Sequence, residues 1–112
     1  MDKIIEKAWG HEEIEFNGPL CFKKLHLKKG YRCSVHHHKI KDEVFFIWSG
    51  PVLMEVDGKE SKLWPGDMVH VLPGQKHRFT GLHDSIIYEF STHDDPEDSY
   101  REPGQLSGKV EG

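Results

Sequence analysis

Three histidines and one glutamate stand at spacings that can bring their side chains to one metal ion. His36 and His38 are two residues apart, and because side chains alternate faces along a strand, both imidazoles project to the same side. Glu43 follows at the head of an apolar run, and His77 lies in a second punctuated stretch, PGDMVHVLPGQKHRFTG, from Pro65 to Gly81. Three imidazoles and a carboxylate make an N/O donor set for one divalent transition metal per chain (Fe, Mn, Zn, Ni or Co) and leave open positions for a substrate. A substrate held there needs a proton-transfer group that is not itself a ligand. His70, between Val69 and Val71, and Tyr88 are the candidates. His37 faces opposite to its neighbours by strand parity and is expected at the rim.

These side chains must be positioned by short strands. Glu12 to Phe16, Leu20 to Lys28, Tyr31 to Val35, Glu43 to Ser49, Val52 to Val56, Lys59 to Trp64, Met68 to Leu72, His77 to Thr80 and Asp84 to Ser91 read as strands separated by Gly, Pro, Asn and Asp breakers. Asp57-Gly58 is a two-residue hairpin turn and Pro73-Gly74 a rigid one just ahead of His77. No helical period occurs, so the chain is expected to be all-β, a sandwich or barrel. In Glu43 to Ser49 both faces are apolar. The outer one, with Val44, Phe46 and Trp48, needs a cover, either the N-terminal arm or the second copy of a homodimer. In the last strand the apolar face with Ile86 and Phe90 is assigned to the interior, which carries Tyr88 into the pocket and turns Glu89 away.

Composition narrows the partners. The 112 residues suit one domain, read as residues 1–91 with an N-terminal arm, followed by a polar, acidic tail over 92–112 that is extended or disordered. With 15 basic against 19 acidic residues the net charge is −4, which argues against nucleic acid. No apolar run reaches the length of a membrane span, and the first residues lack a signal-peptide core, so a cytoplasmic location is expected. Cys21 and Cys33 are accordingly read as free, buried thiols.

The two stretches resemble the paired motifs of the cupin superfamily. Gly30, His36, His38, Glu43 and Gly50 meet every fixed position of the first. Gly66, Pro73, Gly74 and His77 meet the second, with Leu72 and Gly81 standing where the family usually has proline and asparagine. The resemblance implies a double-stranded β-helix, or jelly-roll barrel, with a metal at the four ligands. It also implies one of two enzyme classes, sugar or sugar-phosphate isomerases or dioxygenases, with a non-catalytic carbohydrate-binding module as a third reading. The Trp9-Gly10 opening and the STHDDPEDSYR ending are similar to mannose-6-phosphate isomerase-like cupins, which favours the isomerase. A phosphate would need a cation near the motifs, from Arg32, Lys39, Lys41, Lys76 or Arg78.

Overall fold

A computed structural model describes residues 3–111; Met1, Asp2 and Gly112 lie outside the described residues. The described residues form thirteen strands: β1 (Lys3–Lys7), β2 (Gly10–Asn17), β3 (Leu20–Leu27), β4 (Tyr31–Arg32), β5 (His36–His37), β6 (Glu43–Ser49), β7 (Val52–Val56), β8 (Lys59–Leu63), β9 (Met68–Val71), β10 (His77–Gly81), β11 (Ser85–Thr92), β12 (Tyr100–Arg101) and β13 (Gly108–Lys109). One sheet runs β1-β2-β3-β11-β6-β9. The other runs β12-β5-β10-β4-β13, with β7 on the remaining side of β10 and β8 beyond it. All recorded pairings are antiparallel, and the architecture is the expected all-β cupin-type barrel. The expected strand from Tyr31 is interrupted between Arg32 and His36, so β4 and β5 pair separately with β10.

Inside the barrel, the alternation of each strand divides along the barrel axis. Leu25, Ile87 and Ile47 lie in register across β3, β11 and β6, and with Trp9, Phe45, Val52, Met54 and Phe79 they fill one end as the apolar core. Each such fully buried side chain contributes roughly 1.5–3 kcal/mol. Farther along the same strands, the inward positions become Lys23, Glu89, Glu43 and His77, all buried. The core is thus a floor, and the ionisable groups form the wall above it.

Two expectations are corrected here. The arm, one of the two expected covers for the outer face of β6, instead pairs with β2 and, through Lys3 to Trp9, lines the mouth of the barrel. Trp48, 56% exposed, stays uncovered within the chain. The stretch after Thr92, read as a polar tail, lies along the barrel. It adds β12 beside β5 and β13 beside β4, and Arg78 reaches from β10 to hold Gln105 and the carbonyl of Leu106.

The Trp9-Gly10 pair has a steric reason. Trp9 is buried edge-on against Phe79, with ring centroids 5.2 Å apart, while Gly10 has φ +148° and passes so close to β3 that a Cβ would lie 1.8 Å from the carbonyl oxygen of His26. Backbone cannot yield cheaply there. Gly10→Ala is therefore expected to cost about 3 kcal/mol or more, read as a lowered urea midpoint at unchanged m-value.

Candidate metal centre

The barrel brings together the nitrogens of His36, His38 and His77, which lie within 4.8 Å of one another. His77 faces His36 directly across the β10–β5 pairing, and His38 extends from the end of β5. Each ring is fixed by its far nitrogen: Nδ1 of His36 lies 2.8 Å from the carbonyl of Ser34, that of His38 2.6 Å from the carbonyl of Asp98, and that of His77 3.0 Å from the carbonyl of Gln75. A carbonyl only accepts, so each Nδ1 carries the hydrogen and each Nε2 presents a lone pair to the cavity. Three converging imidazole nitrogens could hold a metal ion. Glu43 stands beside them, with Oε2 3.2 Å from His77 Nε2 and 3.5 Å from His38 Nε2. His77 Nε2 is buried and, despite that short distance, is not aligned for a hydrogen bond.

Around this group lies a charge network. The Lys41 ammonium sits 2.6 Å from Glu89, 2.8 Å from Asp94 and 3.5 Å from Glu43, and Lys23 sits 2.9 Å from Asp94 and 3.3 Å from Glu12. Four carboxylates lie around two ammonium groups, an acidic setting that suits a cation. Donor type, tautomer and charge all fit such an ion, with His36, His38, His77 and Glu43 as the residues that would hold it.

Burial, aided by the neighbouring imidazole of His77, lowers the His36 pKa to about 3, and burial lowers that of His38. Burial opposes the ionised form of Glu43, yet the adjoining His77 and Lys41 prevail and hold it at about 2. The same carboxylate lifts His77 above its usual value against the effect of burial. Burial raises Glu89, only partly countered by Lys41, whereas Asp94 is held well below the carboxylate range because Lys41 and Lys23 outweigh its burial.

The cavity above the core encloses about 980 Å³ and is lined by His36, His38, Lys41, Glu43, Lys23 and Glu89 among others. The proton-transfer candidates are not among them, which is a further correction. His70 is on the outer face of β9, paired with Asp42, and Tyr88 is on the outer face of β11, stacked on Trp48 at 5.2 Å. The apolar face of β11 packs sideways on other aromatics outside the barrel, as with Phe22 and Phe90 at 4.8 Å, while Glu89 takes the interior because Lys41 neutralises it there. His37 is at the rim, stacked on Tyr100. Of the five proposed phosphate anchors only Lys41 lines the cavity, and it is engaged by three carboxylates. Arg78 is buried against Cys33 and the C-terminal segment, Lys76 pairs with Glu102, and Lys39 lies over Tyr100. The sequence offered Lys41 only as a phosphate anchor, turned Glu89 away from the pocket and left Asp94 in the tail. The signal that points to Glu89 is a lone charged residue in the strand Ser85–Thr92, which lies opposite Lys23.

Fold and site together define a cupin. Residues 24–87, more than half of the chain, match the cupin domain family, and the chain belongs to it. It is similar to quercetin 2,3-dioxygenase of Bacillus subtilis (strain 168), with 37% identity over 51 residues, a match spanning 46% of this chain and 15% of that protein. Among solved structures it resembles an RmlC-like cupin from Shewanella frigidimarina (TM-score 0.78, 22% identity, 87% of this chain and 88% of that one). It also resembles Streptomyces Pac13 bound to uridine (TM-score 0.80, 9% identity, 98% and 87%). These structural likenesses show the shared fold. No helix among the described residues is long and apolar enough to cross a membrane.

Protein purified without chelator is expected to carry about one divalent metal per chain, with ligand distances of roughly 2.0–2.2 Å, and the His36→Ala, His38→Ala double variant to carry none by elemental analysis. Metal-free protein is expected to lose stability as pH falls. The folded pKa values of His36 and His38 lie below the unfolded value of about 6.5, so the unfolded chain takes up more protons and their contribution, complete above that value, declines towards pH 3. Glu43 and Asp94 add a further loss below about pH 4.5. His77 acts oppositely, its contribution being present below about 6.5 and lost as pH rises through its raised pKa. Urea midpoints of chelator-treated protein at pH 7, 5 and 4 should fall in that order.

Proposed function

We propose that this cupin is a metal-dependent enzyme of aldose–ketose isomerase type, acting on a hydroxylated carbonyl compound such as a sugar or sugar phosphate. The observation that carries the reading is Glu89, a buried carboxylate held 2.6 Å from Lys41 in the wall of the metal-site cavity. A metal held by His36, His38, His77 and Glu43 would supply Lewis acidity that makes the carbon beside the substrate's carbonyl acidic. Glu89 is the group placed to take that proton and return it to the neighbouring carbon. Its raised pKa suits a proton carrier, and Lys41 fixes its orientation. The charge-dense wall favours a ligand rich in hydroxyl groups.

A second reading, a dioxygenase, is favoured by the sequence similarity to quercetin 2,3-dioxygenase. In D₂O the metal-loaded protein is expected to wash deuterium into C2 of an accepted sugar or to interconvert aldose and ketose. Glu89→Gln should slow both at least 10²-fold while keeping its metal. Oxygen uptake that depends on substrate, without exchange, would move the assignment to the dioxygenase. Sugar binding by calorimetry with neither activity would leave a carbohydrate-binding module.

We also propose a cytoplasmic homodimer. Cys21 and Cys33 are buried free thiols, in keeping with a reducing compartment. The outer face of β3, β11 and β6 carries Phe22, Phe90, Tyr88, Val44, Phe46 and Trp48, an apolar area that a two-fold copy would cover. Sedimentation at micromolar concentration should show a dimer, and Trp48→Glu should shift it to monomer. A wild-type monomer would discard the dimer.

A further inference from the structure

We propose that Asp98 is the positioning residue of the metal centre, and that the segment around it sets the geometry of His38 and Lys41. The proposal rests on the metal-site reading and adds to it a part of the chain outside the cupin motifs.

Asp98 is 6% exposed and uses both its side chain and its backbone on one short stretch. Its carboxylate accepts three consecutive backbone N–H groups, from Lys39 at 2.8 Å, Ile40 at 3.1 Å and Lys41 at 3.0 Å. Its carbonyl accepts the Nδ1 hydrogen of His38 at 2.6 Å. Four hydrogen bonds thus leave one residue for four successive residues of the loop joining the histidine pair to Glu43. An ionised acceptor facing three backbone donors makes bonds roughly twice as strong as neutral ones.

The neighbouring residues run in the same direction. Four residues before Asp98, Asp94 holds the ammonium groups of Lys41 and Lys23, and its backbone is pinned by both atoms of the Asn17 amide. Just after it, Arg101 pairs with His36 and Tyr100 with His37, so β12 supplies the second edge of β5, whose other edge is β10. Glu102 N–H bonds to the carbonyl of Val35, and Val35 N–H to that of Gln105. The strand that delivers His36 and His38 is therefore held on one side by His77's strand and on the other by this strap. Asp98 is the point where the strap reaches a ligand ring directly.

The consequence is a coupling between strap and metal. With Asp98 in place, the Nδ1 hydrogen of His38 is fixed and Nε2 stays free for the ion. Without its carboxylate the 39–41 loop loses three anchors, and His38 loses the alignment of its carbonyl partner. Loss of an outer partner of this kind typically weakens metal binding about 10–100-fold. By linkage the effect is reciprocal, so bound metal should slow exchange of the Lys39, Ile40 and Lys41 amides.

The test uses full-length protein and the variants Asp98→Ala, Asp98→Asn and Asp98→Glu. Zinc affinity is measured by chelator competition, the Co²⁺-loaded visible spectrum is recorded, and in metal-free protein the ring nitrogens of His38 are followed by ¹⁵N NMR. Expected are a zinc Kd at least 10-fold weaker in Asp98→Ala, a smaller loss in Asp98→Asn, an altered Co²⁺ spectrum, and a mixture of His38 tautomers where wild type shows Nδ1–H alone. If Asp98→Ala does not fold, the Asn and Glu variants carry the same readouts. A Kd within twofold of wild type together with an unchanged His38 tautomer in a folded variant overturns the proposal. Wild-type protein that binds no zinc would overturn the metal reading, and the tautomer measurement would then decide on the positioning role by itself.

Discussion

Everything in this chain depends on three imidazoles whose outer nitrogens are occupied. Backbone carbonyls of Ser34, Gln75 and Asp98 take the Nδ1 hydrogens, so the inner nitrogens have only lone pairs to offer, and they offer them to the same point. Such an arrangement is repulsive until a cation enters. Before that, the site eases the conflict by lifting His77 towards the imidazolium beside Glu43 and by holding His36 neutral at ordinary pH. The folded chain therefore carries a local electrostatic cost that binding relieves, and the barrel must be rigid enough to sustain it. The Leu25, Ile87 and Ile47 row and the edge-on packing of Trp9 on Phe79 provide that rigidity.

How much of this was legible in the sequence follows from what leaves a periodic trace. Alternation and turn residues located nearly every strand from Glu12 to Ser91, because period two and positive-φ turns such as Asp57-Gly58 are local properties. The candidate ligands His36 and His38 were legible for the same reason, as their spacing is a strand spacing. Parity in the last strand was not. Assigning the apolar face inward assumes that charge goes outward, and Glu89 breaks the rule because Lys41, distant in sequence, compensates it. His70 was drawn to the cavity by chemical type and Tyr88 by the inverted parity, and the first is a partnered surface residue while the second belongs to an aromatic layer outside.

The C-terminal segment was illegible for a different reason. Acidic residues followed by glycines and prolines have the composition of a solvated tail, and the interactions that order Asp94 to Ser107 have no repeat. They consist of backbone pairing two residues long, a carboxylate turned onto three amides, and a buried guanidinium. The STHDDPEDSYR likeness pointed to this stretch without giving its role, which is to complete β5 on its open edge.

The division of the barrel interior into an apolar floor and an ionisable wall has a consequence for how such a protein can change. On β3 and β11, residues that hold the fold and residues that face the cavity lie two positions apart, as in Leu25 and Lys23 or Ile87 and Glu89. Substitutions in the upper row alter charge and shape around the metal while leaving the lower row packed. The chemistry of the cavity can accordingly diverge in steps that each preserve a folded chain, provided charges are exchanged in compensating pairs.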